Sequence, residues 1–358
     1  MNILFISPDD GINGKGGIST VTKNIYNEII SDNKIKIIIG VSRGNLNIYF
    51  SYFFLIKVIF KLIILKLFKK CDLIHLNVAS KGSCYRKIII ALVGKLIKVP
   101  YVIHLHGGNF DKFYFNSNLK LLINNFFYNS VSTIVLGNYW KNFLHKQLNL
   151  NKDKIYILRN SSNKLIFKNK KIKKILKIAF FGEYSNRKGI FDISNSLSNI
   201  NTKKKWVMNF YGSGEKDKLA NSILKNKLTN LININDWVSN NEINNILLDT
   251  DILLVPSYAE NLPMIIVEGM AAGCAIITTN VGSISEIVKH NFNGLVISPG
   301  NVLDLRRSIE NLINDDDLRE FLSINAIKYH EKNLELKKYI KNLKELWIQS
   351  LMIKNSEN

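Results

Sequence analysis

The hydrophobic positions of this chain fall into two kinds of run. Short apolar runs bounded by Gly, Asn, His or charged residues alternate with longer stretches of helical period, the pattern of a parallel sheet with crossover helices. In the first half the predicted strands lie at residues 3–6, 35–39, 73–76, 101–105, 133–136 and 155–158. A polar, basic stretch at 159–177 reads as a linker. A second series follows at 178–181, 207–211, 231–234, 252–255, 275–278 and 295–297. From Asp315 to Ser350 the pattern is helical and polar, and Asp315–Asp317 reads as an acidic helix start. The pattern predicts two open α/β domains, at 1–165 and 166–335. A C-terminal helix at 336–358 is free to pack back on the first domain. Ligands of such sheets bind at the carboxyl ends of the strands.

The most apolar stretch, 45–70, is interrupted by Lys57, Lys61 and Lys66. It therefore lacks the unbroken run of about 18 apolar residues that a spanning helix needs. A half-buried or interfacial helix is expected there. The start, MNILFISPDD, lacks the basic flank of a signal peptide and reads as a first strand.

Composition sharpens this picture in two places. The 358 residues, 46% of them apolar, suffice for two real cores. The net charge of +21 is uneven: residues 1–170 hold 25 Lys and Arg against 7 Asp and Glu, residues 171–358 hold 24 against 21. A basic first half points to an anionic partner, either nucleic acid or an anionic membrane surface, with a solvated Lys-rich face as the plainer alternative. The cysteines, Cys71, Cys84 and Cys274, are odd in number and unpaired in spacing. They suggest neither a disulfide framework nor a zinc site and fit a reducing cytosol.

The chemistry concentrates in SYAENLPMIIVEGMAAGCAIITTNVG, residues 257–282. Pro263 is placed to start a helix, where its missing N–H costs nothing. The amides of Leu262, Met264 and Ile265 then open into the crevice as an anion site. Glu260 before the helix and Glu268 within it suit sugar hydroxyls on either side of a diphosphate. The plainer alternative is one capping and one surface glutamate. Three further turns join this one: Gly182 with Lys188–Gly189, Gly212 with Gly214, and Gly282 with Glu286. A lysine at such a turn can neutralise charge on a departing diphosphate, and Arg187 beside it could do the same.

On these residues, and on the E-x7-E spacing above all, the chain resembles glycosyltransferase family 4, retaining enzymes of the GT-B fold. The resemblance extends to GKGGIST at 14–20, CDLIHLN at 71–77 and YVIHLHGG at 101–108. It implies two Rossmann-like open parallel-sheet domains facing a cleft. It also implies a metal-independent enzyme, without cofactor, that moves a sugar from a nucleotide diphosphate sugar, UDP by preference. Glu268 would bind ribose and Glu260 the transferred sugar. Asn261, Leu262, Pro263 and Met264 would hold sugar and phosphate, with Gly182 and Gly212 in the same donor site. Lys188 would stabilise the leaving diphosphate, which Gly16 and Gly17 would approach from the other domain. His106 would lie beside the reacting sugar. The arginine that the family carries after the glycine matched by Gly182 is Glu183 here, so a second cation, if needed, falls to Arg187.

The remaining candidates are weaker. His104 and His106 are expected on opposite sides of a strand end, His104 as a satisfied core histidine and His106 in the crevice. Asp249–Thr250–Asp251 spells the D-x-D of metal-dependent transferases, but it precedes a strand and reads as a helix-to-strand turn. In NVASKGSCYRKIIIALVGK, residues 77–95, a helix start carries Ser80, Gly82 and Ser83, with Arg86 and Lys87 in its first turn. Ser83 and Arg86 are the candidates for an acceptor's phosphate. Similar polysaccharide-assembly enzymes (capsule, O-antigen, lipopolysaccharide or exopolysaccharide) use lipid-diphosphate-linked acceptors. Residues 49–70 would then rest on an anionic membrane surface, making the enzyme cytoplasmic and peripheral to the inner face of the plasma membrane. The competing readings are a nucleotide-sugar epimerase of the same fold and a nucleic-acid-binding protein using the basic half. No zinc finger or aromatic sheet signature supports the latter.

Overall fold

The structure is a computed structural model that describes residues 1–9, 14, 16–44, 51–165, 174–198 and 200–356. Parts of the predicted linker (166–173), of the apolar stretch (45–50) and of the first glycine-rich loop (10–13 and 15) lie outside the described residues. The chain forms two units, Met1–Asn160 with Leu336–Asn358, and Ser161–Glu335.

The first unit runs β1 (Asn2–Ser7), α1 (Gly17–Ile29), β2 (Lys36–Val41), α2 (Ser51–Leu67), β3 (Leu73–Val78) and α3 (Gly82–Leu96). It continues through β4 (Tyr101–Leu105), α4 (Phe110–Phe115), α5 (Lys120–Tyr128), β5 (Ser132–Val135), α6 (Asn138–Leu148) and β6 (Ile155–Ile157). The second runs β7 (Ile175–Tyr184), α7 (Ile190–Leu197), β8 (Lys205–Gly214), α8 (Lys216–Lys225), β9 (Ile232–Asn235) and α9 (Asn240–Leu248). Then come β10 (Ile252–Val255), α10 (Met264–Ala271), β11 (Ala275–Thr279), α11 (Ile284–Ile287), β12 (Leu295–Ile297), α12 (Val302–Asn314) and α13 (Asp316–Asn333). The last helix, α14 (Leu336–Ser356), belongs to the first unit.

Both sheets are parallel and six-stranded, ordered β2-β1-β3-β4-β5-β6 and β12-β11-β10-β7-β8-β9. Helices cover both faces, which is why a central strand such as Ile3–Leu4–Phe5–Ile6 is apolar throughout instead of alternating. Each order reverses direction once: at β1/β3 in the first sheet, at β7/β10 in the second. Such reversals leave an open crevice outside the strand ends.

Two expectations are corrected here. The first strand of the second unit begins at Ile175, inside the predicted linker. The glycines at 182, 212 and 214 are not free turns. β7 and β8 stay paired past them, Gly182 opposite Gly212 and Tyr184 opposite Gly214.

Helix α2 buries Ser51, Leu55, Val58 and Leu62. Its other face exposes Tyr52, Phe53, Ile56, Phe60, Ile64 and Leu67, each more than half accessible. No helix among the described residues is long and apolar enough to cross a membrane.

Candidate active site

Three loops meet at the β7/β10 reversal of the second unit. The first leaves β7 through a tight turn, Asn186–Lys188, into α7. The second leaves β10 and enters α10, and the third leaves β11. Backbone bonds fasten them together. Tyr258 N–H donates to the Arg187 carbonyl (2.8 Å) and Ser283 N–H to that of Asn261 (2.8 Å). Thr279 Oγ1 donates to the Ser257 carbonyl (2.6 Å). Gly282 sits at φ 57°, where a Cβ would strike the carbonyls of Glu260 and Asn261. Gly212 has no such strain, but a Cβ there would run into the Gly182 carbonyl. The glycines therefore let two loops and two strand ends close on one another.

The charges sit on this frame. Lys188 Nζ bonds Glu260 Oε1, and both side chains are largely covered (16% and 12% accessible). Ser257 Oγ donates to the same oxygen at 3.2 Å, a contact that nothing in the sequence pattern signalled. Arg187 reaches in from the side. Its Nη1 donates to the Ala259 carbonyl (3.1 Å) and lies 3.7 Å from Glu260 Oε1, while Nη2 donates to Glu183 Oε2 (3.1 Å). Glu183, the departure from the resembled pattern, is thus the residue that holds Arg187 against the Lys188–Glu260 pair.

Glu268 behaves differently. It lies on α10, half-buried, and its carboxylate has no hydrogen bond or ion pair among the described residues. Burial pushes its pKa up to about 7. An ionisable group that pays a desolvation cost and meets no partner is a candidate ligand contact. Asn261, Leu262 and Met264 line the entry to α10 and are themselves buried. Pro263 is the cap of that helix, one position earlier than expected, with ψ 135°. The first free amide therefore belongs to Met264.

The other predicted residues lie in the first unit. Gly16 caps α1 and Gly17 is its first residue. His106 follows β4; its Nε2 bonds Asn77 Oδ1 (2.9 Å), and Asn77 Nδ2 donates to the Ile6 carbonyl (3.2 Å). That second bond turns Oδ1 toward the ring, so Nε2 of His106 carries the proton. Burial, with the nearby Lys87 charge, holds His106 down to about 3, a neutral imidazole.

The expected separation of His104 from His106 is overturned: their rings lie 4.0 Å apart. Residues two apart on a strand share a face. Nor is His104 satisfied, since both its ring nitrogens are buried without a partner among the described residues. Burial, then His106 and His75, keep it neutral.

Ser83 and Arg86 stand at the start of α3, with Arg86 and Lys87 in its second turn. Asp249 and Asp251 lie at the amino end of β10, where Lys177 takes both, through Nζ and through its backbone N–H (2.9 Å). All three cysteines are buried, and none forms a disulfide among the described residues.

Residues 161–329 match the family model described as glycosyl transferases group 1. An uncharacterized glycosyltransferase of Methanocaldococcus jannaschii is 29% identical over 267 residues, 73% of this chain and 71% of that protein. The N,N'-diacetylbacillosaminyl-diphospho-undecaprenol alpha-1,3-N-acetylgalactosaminyltransferase of Campylobacter jejuni is 23% identical over 90% of this chain and 89% of its own. In fold, the chain is similar to HepE of Anabaena, solved with UDP-glucose, with TM-score 0.77, 17% identity and coverage of 98% and 100%. The chain is a glycosyltransferase of the GT-B type.

Proposed function

We propose that this GT-B glycosyltransferase belongs to the retaining family 4 group. In this reading it transfers a sugar from a UDP-sugar to a lipid-diphosphate-linked or surface-glycan acceptor in polysaccharide assembly. The observation that carries the donor half is Glu268, a carboxylate without a partner among the described residues, kept in an apolar setting next to a helix start. Ribose hydroxyls would supply the hydrogen bonds it lacks. The diphosphate would face the Met264 amide and the two cations Lys188 and Arg187, and the sugar would take Glu260 and the Asn261–Leu262 backbone. The UDP-glucose bound in HepE and the diphospho-undecaprenol in the name of the Campylobacter enzyme are consistent with both halves.

In the transfer, the bond from the sugar's anomeric carbon to the diphosphate oxygen breaks and a bond to the acceptor hydroxyl oxygen forms. The acceptor's proton passes to the departing diphosphate. Lys188 and Arg187 stabilise the negative charge that builds there, a contribution realised most fully in the transition state. No metal is assigned a role. Ser83 and Arg86 are proposed to meet the acceptor's phosphate, and the exposed apolar face of α2, set among lysines, to rest on an anionic membrane surface.

The test is calorimetric titration with UDP and a panel of UDP-sugars. Glu268→Ala should abolish measurable binding while its far-UV spectrum stays native. Unchanged affinity would remove the ribose assignment.

A further inference from the structure

At the β1/β3 reversal of the first unit, a lysine is buried with no acid paired to it among the described residues. Lys87 is 0% accessible. Its ammonium donates to Ser42 Oγ (2.8 Å) and Ser83 Oγ (3.3 Å), and these two hydroxyls are its hydrogen-bond partners among the described residues. No carboxylate forms an ion pair with it there. Lysines are seldom fully buried unless paired, because the charge loses its hydration with nothing in return.

The surroundings compound the problem. Arg86 precedes Lys87 on the same helix, its Nε buried without a partner and its Nη1 folded over Gly82. Arg43, just after β2, bears on both. Asp9, after β1, is the acid that faces them, and its Oδ2 accepts from Ser19 Oγ (2.6 Å). Among the described residues, Cys84, its thiol pushed up to about 12 by burial, and His106, held neutral, are the other titratable groups around Nζ. Burial first, then Arg86, brings Lys87 down to about 7.

Among the described residues, three cations facing one acid, with two hydroxyls and a helix start beside them, form the donor set of a pocket for a multivalent anion. We propose that Lys87 is the floor of a diphosphate pocket completed by Arg43, Arg86, Ser42 and Ser83, and that the acceptor's diphosphate fills it. The proposal rests on the lipid-linked acceptor reading above. A diphosphate seated there supplies the missing counter-charge, so Lys87 takes up a proton as the anion binds.

The experiment uses the full chain saturated with UDP, titrated calorimetrically with inorganic pyrophosphate and with farnesyl diphosphate in buffers of different ionisation heat. Both anions should bind, with uptake of up to one proton per site just above neutral pH. Lys87→Met, which keeps the side chain's length and removes its buried charge, should weaken both by about ten- to a hundredfold and abolish the uptake. UDP affinity, set in the second unit, should stay unchanged. Arg86→Ala should weaken binding and, by relieving part of the depression of Lys87, lessen the uptake without abolishing it. Full anion affinity in Lys87→Met, or no proton uptake by the native chain, would overturn the proposal. Failure of pyrophosphate to bind at all, with UDP still bound, would overturn the pocket and leave the donor site standing. Displacement of pyrophosphate by excess UDP would show that the pocket serves the nucleotide, and the acceptor assignment would fall. Loss of UDP binding in the native protein would count against the donor reading instead.

Discussion

At the scale of single residues, the two glutamates of the E-x7-E segment have opposite fates. Glu260 is taken by Lys188, Ser257 and Arg187, whereas Glu268 has no partner among the described residues. Their spacing was legible in the sequence; this contrast was not, because the two cations on Glu260 come from a loop about seventy residues away. The same holds for Lys87, which the sequence placed beside Arg86 at a candidate phosphate-binding helix start but whose full burial shows only in the fold. Asn77, which sets the His106 tautomer, was equally hidden.

The Glu268 imbalance has a measurable cost. Its folded pKa lies near 7 against an ordinary 4.5, so the penalty is absent below the lower value, grows as pH rises between the two, and is complete above the higher. Glu268→Gln should therefore raise the melting temperature of the ligand-free protein above neutral pH and leave it unchanged in acid. The gain is expected at about 1–3 kcal/mol, the lower end reflecting its partial exposure. In the native enzyme, UDP affinity should strengthen as pH rises through neutrality, because the ionised carboxylate is the better acceptor for ribose hydroxyls. Titration of UDP across that range checks both signs, and a flat profile would remove Glu268 from the donor site.

At the scale of elements, each predicted apolar run became a strand, since a buried parallel strand must be apolar on both faces and little else in a sequence looks like that. What the pattern missed is the length of β7 and β8. Their outer residues, from Ile175 opposite Lys205 to Tyr184 opposite Gly214, pair through the backbone, and backbone pairing leaves no mark in side-chain hydrophobicity. Helix α2 shows the converse case, with apolar residues on both faces and only one face covered. If the open face rests on lipid, replacing Phe53, Phe60 and Leu67 together by serine should cut co-sedimentation with anionic vesicles by on the order of tenfold or more. The melting temperature should barely move, because these side chains are already exposed. Unaltered vesicle binding would rule out α2 as the membrane-facing element.

At the scale of the molecule, the sequence placed a helix at the carboxyl end and gave its length well, but which unit claims it is decided by packing. Trp347 of α14 is fully buried, and its Nε1 donates to His75 Nδ1 (3.0 Å). Ser350 bonds Ser132 (2.7 Å) and Lys344 bonds Asp32 (2.5 Å), so the helix touches three separate parts of the first unit. Trp347→Ala should cost that unit about 3–5 kcal/mol. In a calorimetric scan this would appear as an early transition that added UDP does not shift, while the nucleotide-stabilised transition keeps its place. A single unaltered transition would contradict the division.

The return of α14 also reverses the usual order of events on the ribosome. Domains commonly fold from the amino end as they emerge, yet here the amino-terminal sheet waits for α14, which is translated after the whole second unit. The second unit, complete at Glu335, can finish first. Until α14 emerges, the nascent first sheet leaves the Trp347 site open, and a chain stalled before it would hand quality-control proteases an unfinished front half attached to a finished back half.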